Sequence, residues 1–437
     1  MSRGEIAYLV WNDLVGMSRT RGVPVAELPR RRGKGLGWAL AGHSLTPFED
    51  IAPNPWGPMS EVRQTPDLDA HLRVVLRPDM PALNMLMCDT LETDDSPWEC
   101  CTRSFLKAAL ADLEAETGLT LMIAYENEFL LSGPGIEWAA PFSLDAVRAI
   151  APFADLCVAA LLDAGVDLEA FEPEYGVGQF EVSCGPARGV AGADRVIFTR
   201  EVIREAARQS GLRATFTPKP APDAVGNGCH LHVSLWDAKG RPAGFDPKGP
   251  GELSAVAQHF VAGMQRHLRG LLAMAAPSPV SYLRLGPHHW SCGYDGVGVA
   301  NREAAIRICP SPEKGRSRRG NAFNIEIRAT DATASPYLAI GTLVRAGLEG
   351  IRGKLPLPTL LESDPADLSD RQRKAAGVMP LPSTLDQALD LFAADKVVQG
   401  WFTPVMIEAY TALKRLEAAN FAAADPAHMC ARYARAY

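Results

Sequence analysis

Glu126 and Glu128 stand one residue apart in AYENEFLL, residues 124–131, a run that is otherwise apolar and strand-like. Side chains alternate across a β-strand, so the two carboxylates point to the same face and repel each other unless a positive group lies between them. The chain must therefore fold so that a cation or a cationic side chain meets this face.

Three further segments alternate apolar residues with a restricted set of polar residues: VGQFEVSC (177–184), GCHLHVSLW (228–236) and FNIEIRAT (323–330). Their polar residues are, in chain order, Gln179, Glu181, Ser183, His230, His232, Ser234, Asn324, Glu326 and Arg328. An ordinary strand with its polar face in water also alternates. Lysine is missing from all four faces, however, whereas carboxylates, imidazoles and arginine are side chains that bind hard divalent cations and phosphate.

Glu174 adds a further carboxylate seven residues before Glu181, in EPEYGVGQFE. Oxygen ligands with an imidazole favour Mg²⁺ or Mn²⁺ over Zn²⁺, and these two metals usually accompany nucleotide phosphates. We expect two metal ions rather than one, with Glu126 and Glu128 turned toward different ions. RGKGLG lacks the spacing and the hydroxyl residue of a P-loop, so a nucleotide is expected to bind on the acidic sheet.

The composition is that of a globular protein with a sizeable core, since 47% of the 437 residues are hydrophobic. A formal net charge of -7 gives no footprint for nucleic acid. No stretch reaches the ~20 apolar residues of a membrane helix, and the N-terminus lacks the apolar run of a secretory signal. Nine cysteines, an odd number without paired C-x-x-C clusters, favour a reduced chain. We expect a cytoplasmic protein without nucleic-acid or membrane partners.

Two domains are expected, a small β-rich one over 1–97 and a larger mixed one over 98–437. Short apolar runs broken by Gly and Pro predict strands between Ile6 and Met87. Beyond the polar segment CDTLETDDSPWE, helical periodicity predicts a helix from Ser104, as N-cap, to Gly118. A later helix is predicted to begin at Ser335, with Pro336 in its first turn.

Six segments together carry a family resemblance: AYENEF, EPEYGVGQFEV, TFTPKPAPDAVGNGCHLHVSLWD, SYLRLGPHHW, NREAAIRI and FNIEIRATDATASPYLAIGTLVRAGLEGI. In this order they resemble the glutamine synthetase superfamily across nearly the whole chain. The resemblance implies an α+β fold, with an N-terminal β-grasp domain and a catalytic domain built on a curved, mainly antiparallel sheet. It also implies self-association into a ring-type homo-oligomer, commonly a dodecamer of two stacked hexamers.

The resemblance further implies ATP-dependent chemistry, in which the γ-carboxylate of glutamate takes a phosphoryl group and an amine then displaces phosphate. The metal near glutamate and the amine would be held by Glu128, Glu174 and Glu181. The metal on the ATP phosphates would be held by Glu126, His230 and Glu326. His232, Ser234 and Arg307 fall where the family contacts the nucleotide.

The same resemblance assigns residues to the glutamate side of the site. Three arginines match those that hold the glutamate carboxylate and the transferring phosphoryl group: Arg284, Arg302 and Arg328. The oxygens of the phosphoryl group carry negative charge during transfer, and guanidinium groups offset that charge. Gly226 lies in VGNG, where the family has Asn-Gly-Ser-Gly, so the ends of glutamate are expected to be held differently here. For any one arginine, a surface ion pair is the alternative interpretation.

Two departures from the family bear on the amine. Members that use ammonia carry an acidic flap residue six positions after the arginine of R-L-x-P, whereas Trp290 stands there in this chain. Ala41 aligns with the aspartate that helps to hold ammonium. A tryptophan face packs an alkyl or aryl amine and attracts its charge, which favours a small organic amine, as in the glutamate-putrescine ligase (γ-glutamylpolyamine synthetase) branch.

Other interpretations remain open from the sequence. Trp290 could serve only to pack the flap loop. The protein could be a glutamine synthetase that holds ammonium by other groups, or a non-catalytic structural or regulatory member of the superfamily. The last alternative predicts decayed metal ligands, and all six ligand positions are filled.

Overall fold

The computed structural model describes residues 4–311 and 313–437, which build two sheets and their flanking helices. The first sheet has the strand order β2-β1-β5-β4-β3. Its strands are β1 (Ile6–Asn12), β2 (Ser18–Pro24), β3 (Leu36–Ala39), β4 (Glu61–Val74) and β5 (Leu83–Leu91). The β-rich N-terminal region expected from the sequence is therefore confirmed, while the domain boundary at 97/98 stays a prediction.

The second sheet has the order β15-β12-β13-β14-β11-β6-β8-β7, and two short strands, β9 and β10, pair with β6. Its strands are β6 (Leu119–Ser132), β7 (Leu168–Pro173), β8 (Gln179–Cys184), β9 (Ala187–Arg188), β10 (Arg213–Thr215), β11 (Leu231–Asp237), β12 (Val297–Val299), β13 (Ile306–Cys309), β14 (Asn324–Ile327) and β15 (Leu360–Leu361). Every pairing from β13 through β14, β11, β6 and β8 to β7 is antiparallel. The mainly antiparallel sheet of the expected α+β fold is confirmed.

Fourteen α-helices lie in the described residues, one between strands of the first sheet and the others from the end of that sheet onward. They are α1 (Leu28–Arg31), α2 (Thr102–Thr117), α3 (Leu144–Ala149), α4 (Ala151–Asp163), α5 (Val190–Gln209), α6 (Ala255–Ala275), α7 (Ser281–Arg284), α8 (Arg316–Ala322), α9 (Pro336–Arg352), α10 (Asp370–Ala376), α11 (Leu385–Ala394), α12 (Lys396–Gln399), α13 (Pro404–Phe421) and α14 (Pro426–Ala436). None of the helices in the described ranges is long and apolar enough to cross a membrane. All nine cysteines are buried as free thiols.

Of the three predicted helix ends, the end of α2 and the start of α9 are right in position, and the start of α2 is wrong. Gly118 ends α2 in the left-handed conformation that glycine adopts most readily, as expected. The start of α2 was predicted wrongly, because Cys101 rather than Ser104 is the N-cap, and its Sγ accepts the Ser104 N–H. Ser335 does occupy the N-cap of α9, but its hydroxyl makes no capping hydrogen bond.

A buried arginine on α2 ties the two sheets together. Arg103 is 2% exposed, and its guanidinium donates to Asp194 on α5 at 3.0 and 2.8 Å. The same group reaches Asp89 on β5 and Asp67 on β4, each at 2.9 Å. One cation therefore pairs with carboxylates on the first sheet and on α5, which helps to fix the first sheet relative to the rest of the fold.

Candidate active site

Strand register brings the four polar faces identified in the sequence onto one surface of the second sheet. In the β6–β8 pairing Glu128 lies opposite Glu181, and in the β11–β14 pairing His232 lies opposite Glu326. Residues directly opposite each other on antiparallel strands share a face, so carboxylates and imidazoles from four strands converge. The alternative of an ordinary strand with its polar face in water does not hold for Glu181, His230 and Glu326, since all three are buried.

Three of the predicted ligands form a tight group at the β6, β11 and β14 end of this surface. His230 Nδ1 lies 2.9 Å from Glu126 Oε2 and 3.5 Å from Glu326 Oε1. His232, predicted to contact the nucleotide, joins the same group, with Nε2 at 3.1 Å from Glu126 Oε1. Glu126, His232 and Glu326 each offer a ligand atom within 4.8 Å of the others. This arrangement suits one divalent cation held by oxygens and an imidazole.

A second group of carboxylates lies on β7, β8 and the turn between them. Glu172, Glu174 and Glu181 offer ligand oxygens within 4.8 Å of one another. The sequence analysis missed Glu172, although Glu172 and Glu174 repeat the one-residue spacing of the first glutamate pair. Glu128, predicted for this group, lies opposite Glu181, and its Oε2 accepts the Gly228 N–H at 2.8 Å.

The electrostatics of these carboxylates fit a bound cation. Burial, followed by the charge of Glu128, raises the pKa of Glu174 to about 7. Burial and the neighbouring Glu126 and Glu128 likewise raise the pKa of Glu181 well above its usual range. A divalent ion would reverse both shifts by supplying the missing positive charge. Oxygen donors crowded to this degree are the ligand set of Mg²⁺ or Mn²⁺, so the residues fit the metals expected from the sequence.

Two of the predicted arginines converge on Glu326, whose side chain is fully buried. Arg307 Nη1 donates to Glu326 Oε2 at 2.7 Å, and Arg328 Nη1 forms a closer ion pair with Oε1. Arg328 also donates from Nε to the carbonyl of Arg302 at 2.8 Å. The Arg302 side chain itself is exposed, and its role at the phosphoryl group stays a prediction.

Arg284 and Gly226 lie against each other at the rim of the same surface. A Cβ on Gly226 would come within 2.6 Å of Arg284 Cγ, so only glycine allows this approach. Arg284 Nη2 donates to the carbonyls of Arg328 and Thr330, while its Nε is buried without a partner among the described residues. Gln179, which sequence reasoning did not place in the site, holds the VGNG segment by donating to the Gly226 carbonyl at 2.8 Å.

A cavity of about 600 Å³ opens beside the first group of ligands. Its lining includes Glu126, His232, Ser234 and Asn324 together with the apolar side chains of Val233 and Phe323. His232 Nδ1 lies 2.9 Å from Asn324 Oδ1, and Ser234 Oγ accepts the indole N–H of Trp236 at 2.8 Å. The predicted nucleotide contacts His232 and Ser234 are thus brought together on one wall of a pocket large enough for a nucleoside phosphate.

The loop from Arg284 to Cys292 closes over the arginines. His288, Trp290 and Cys292 all adopt positive φ, at 61°, 52° and 65°. Each such residue costs of order 1–3 kcal/mol, and clusters of them mark sites where the surrounding structure holds a loop in one shape. The Trp290 peptide is held at both ends, since its carbonyl accepts from Arg328 Nη2 at 2.7 Å and its N–H donates to Glu303 at 2.8 Å. The indole is 63% exposed.

Comparison with known families divides the chain between two models. The model described as the glutamine synthetase catalytic domain matches residues 99–433. The model described as the glutamine synthetase N-terminal domain matches residues 2–98.

Curated relatives match along most of the chain. The gamma-glutamylpolyamine synthetase GlnA3 of Streptomyces coelicolor is 34% identical over 97% of this chain and 92% of its own length. A glutamine synthetase of Methanocaldococcus jannaschii is 33% identical over 87% of this chain and 83% of its own length.

Solved structures match equally widely. A crystal structure described as a novel glutamine synthase homolog superposes with a TM-score of 0.92 at 42% identity, covering 100% of this chain and 99% of that one. A GmaS/ADP complex superposes with a TM-score of 0.81 at 27% identity, covering 96% of this chain and 94% of that one.

Proposed function

The chain belongs to the glutamine synthetase family of ATP-dependent, carbon–nitrogen bond-forming ligases, and from this membership we propose that it joins the γ-carboxylate of glutamate to an organic amine. The products would be a γ-glutamylamide, ADP and phosphate. We further propose that it works in the cytoplasm and as a ring-type homo-oligomer, both of which stay predictions.

The observation that carries the choice of amine is Trp290. Its indole is exposed on the loop over the site, at the position where the family resemblance places an acidic residue in ammonia-using members. An aromatic face offers an alkyl or aryl amine both apolar contact and attraction for its positive charge. The similarity to a relative named as a gamma-glutamylpolyamine synthetase supports the same choice.

The first chemical step would use the arginines and the two ligand groups. A γ-carboxylate oxygen of glutamate attacks the terminal phosphorus of ATP, ADP leaves, and an acyl phosphate forms. Arg307 and Arg328, already oriented by Glu326, would place guanidinium charge on the phosphoryl oxygens. Divalent ions held by the first group (Glu126, His230, Glu326) and the second group (Glu128, Glu174, Glu181) would neutralise the phosphate charge when bound.

In the second step the amine nitrogen attacks the acyl carbon, phosphate leaves, and the nitrogen loses a proton. The loop carrying Trp290 would cover the acyl phosphate and restrict water, because Arg328 binds both this loop and Glu326. Excluding water matters here, since hydrolysis of the acyl phosphate competes with amide formation.

The test is phosphate release by the purified protein with Mg²⁺, ATP and glutamate. Parallel reactions would contain ammonium, methylamine, ethanolamine, putrescine or benzylamine, with products identified by mass. We expect turnover with at least one organic amine and little with ammonium. Efficient glutamine formation with ammonium, in preference to every organic amine, would instead identify a glutamine synthetase, and silence with every nucleophile would favour the non-catalytic alternative.

A further inference from the structure

Glu303 is a buried carboxylate on the loop that enters β13, directly after Arg302. Its side chain was not singled out by any sequence pattern, and the residue is 9% exposed. One of its oxygens, Oε1, accepts the backbone N–H of Trp290 at 2.8 Å. Glu303 therefore lies immediately behind the loop that covers the site.

The second oxygen of Glu303 has no partner. Oε2 is buried and makes no hydrogen bond of acceptable distance and angle within residues 4–311 and 313–437, although the backbone N–H of His288 lies near the carboxylate. Burying a carboxylate oxygen in this way costs free energy, and a ligand or ion that completes it is one reason why native proteins retain such a group. An anchor for the Trp290 backbone would need only Oε1, so anchoring the loop does not account for Oε2.

The charge around Glu303 favours a cationic partner. Burial raises the pKa of Glu303, and the nearby carboxylate of Asp364 raises it further. Asp364 itself is paired with His288 of the covering loop, with Oδ2 at 3.0 Å from Nδ1. An ammonium group next to Glu303 would therefore meet negative charge from two directions.

The position of Glu303 relative to the reacting groups follows from two hydrogen bonds. The Trp290 peptide connects Glu303, on its nitrogen side, to Arg328, on its oxygen side. Arg328 in turn pairs with Glu326 of the first ligand group. Glu303 and the arginine expected at the phosphoryl group therefore bind the backbone of the same residue, the one that carries the exposed indole.

We propose that Glu303 binds the ammonium group of the incoming amine through Oε2, as the acidic group that replaces the one missing at position 290. The inference rests on the proposed function and deepens it, since it names the residue that selects a charged primary amine. Trp290 then contacts the carbon chain while Glu303 holds the nitrogen.

The experiment compares wild type with Glu303→Gln. Glutamine retains an oxygen that can accept the Trp290 N–H but loses the negative charge. For each protein the kcat/KM with the best amine of the panel is divided by the kcat/KM with hydroxylamine, a nucleophile that is largely uncharged near neutral pH. We expect this ratio to fall roughly tenfold to a hundredfold in Glu303→Gln, as loss of a charged hydrogen bond predicts.

Glu362→Gln is the matched control, because it makes the same change at an exposed position. Its ratio should stay within about twofold of wild type if Glu303 acts by direct contact. An unchanged ratio in Glu303→Gln, or a fall in Glu362→Gln of the same size, would overturn the proposal. A parallel loss with both nucleophiles would also overturn it, since that outcome describes a group that only supports the loop.

The two proposals fail separately. If wild type uses ammonium better than every organic amine, the proposed function is wrong, and the ratio of ammonium to hydroxylamine then tests Glu303 in the same way. If wild type uses organic amines but the ratio does not change in Glu303→Gln, only the inference about Glu303 is wrong. If wild type shows no turnover with any nucleophile, both proposals are wrong.

Discussion

At the scale of single residues, the site includes a side chain that is exposed although the backbone of the same residue is held by hydrogen bonds. Trp290 illustrates this, since its peptide is fixed by Arg328 and Glu303 while its indole stays exposed. An exposed ring on a fixed backbone can contact a substrate without a large ordering cost. The side chain is therefore available for substitution without loss of the loop.

Trp290→Ala should raise the KM for organic amines and leave the KM for ATP unchanged. A cation–π contact at an exposed position contributes about 0.5–1 kcal/mol, which corresponds to roughly a twofold to fivefold increase in KM. Steady-state kinetics with varied amine measures the change. Leu162→Ala, which removes an exposed apolar side chain on α4, is the control and should leave all constants unaltered. An unchanged amine KM in Trp290→Ala would mean that the indole only packs the loop.

His43 is a buried imidazole of the N-terminal region whose protonation state is set by its neighbours. Thr90 Oγ1 donates to Gln64 Oε1 at 2.9 Å, so the Gln64 amide turns its N–H₂ toward His43 Nε2, 3.3 Å away. His43 Nε2 is then the acceptor and carries no proton. Burial, with a smaller effect from Arg19, lowers the pKa of His43 from 6.5 to about 3.

The sign of the resulting pH dependence follows from this lowered pKa. The unfolded state binds a proton at His43 below about pH 6.5 and the folded state does not until about pH 3, so stability is complete above 6.5 and is lost as the pH falls through that window. The loss approaches 1.4 kcal/mol per pH unit for one full proton. Melting temperatures of wild type and His43→Gln at a series of pH values measure it.

We expect the free energy of unfolding of wild type to fall more steeply between pH 6 and pH 4 than that of His43→Gln, by on the order of 1 kcal/mol per pH unit, and the melting temperature to fall with it. His428→Gln, at an exposed position on α14, should keep the wild-type slope. Equal slopes for wild type and His43→Gln would show that the buried imidazole does not govern acid stability.

At the scale of elements, α2 is the connection between the two sheets, and its Arg103 carries that role. The guanidinium is shared by Asp194, Asp89 and Asp67, which come from α5, β5 and β4. A single buried cation with three carboxylates leaves a large uncompensated charge if it is removed. The packing of α2 alone does not replace this interaction.

Arg103→Met should destabilise the protein by about 3–5 kcal/mol, because Asp194 would remain buried and unpaired. In a chain of this size that corresponds to a fall in melting temperature of about 3–5 °C. Arg208→Met is the matched control, since Arg208 forms an exposed pair with Glu205 on α5. Such a pair contributes about 1 kcal/mol or less, so the control should melt close to wild type. Equal melting temperatures for the two variants would contradict the role given to α2.

Several strands could be predicted from the sequence, because the alternation of polar and apolar residues involves only neighbouring positions in the chain. The alternation in β6, β8, β11 and β14 placed Glu181 and Glu326 on a buried polar face, as found. The ends of the helices were harder to predict from the sequence, because Cys101 caps α2 and cysteine is not among the residues preferred at the N-cap.

The parts of the site that could not be predicted depend on contacts between distant segments. Glu303 follows no periodic pattern, and its importance lies in the Trp290 peptide, which a sequence does not place beside it. The pairing of Arg307 with Glu326 is likewise a product of strand register, whereas Arg328 lies two residues after Glu326 on the same face of one segment. Glu172 could have been found, because its spacing from Glu174 repeats the pattern that identified the first pair.

At the scale of the whole molecule, the site is a concentration of negative charge that strands from distant parts of the chain bring together. Glu126 on β6, Glu181 on β8 and Glu326 on β14 share one surface with Glu128 and Glu174. Their mutual repulsion is a cost of folding that a bound cation would remove.

Chelation should therefore lower the stability of the entire catalytic region. Protein treated with a chelator should melt at a lower temperature, and Mg²⁺ or Mn²⁺ should restore it. At a metal concentration of 100 Kd the expected stabilisation is about 2.7 kcal/mol, a rise in melting temperature on the order of several degrees. Thermal melting across a metal titration measures it.

Glu181→Gln should shift this titration to higher metal concentration, because it removes one ligand charge. Glu114→Gln, at an exposed position on α2, should leave it unaltered. A melting temperature that is independent of added metal in wild type would contradict the assignment of the ligands.

The order of the strands also decides when the site can form during folding. Glu126 and His230, 104 residues apart in the chain, meet only when β6 and β11 have paired, and β14 must then add to β11. Closing the long loops between such distant segments costs entropy before the contacts contribute favourable free energy, so these contacts form slowly. A nascent or truncated chain that ends before β14 therefore lacks both the Glu326 ligand and Arg328, and metal affinity develops only after the C-terminal half of the sheet has been made.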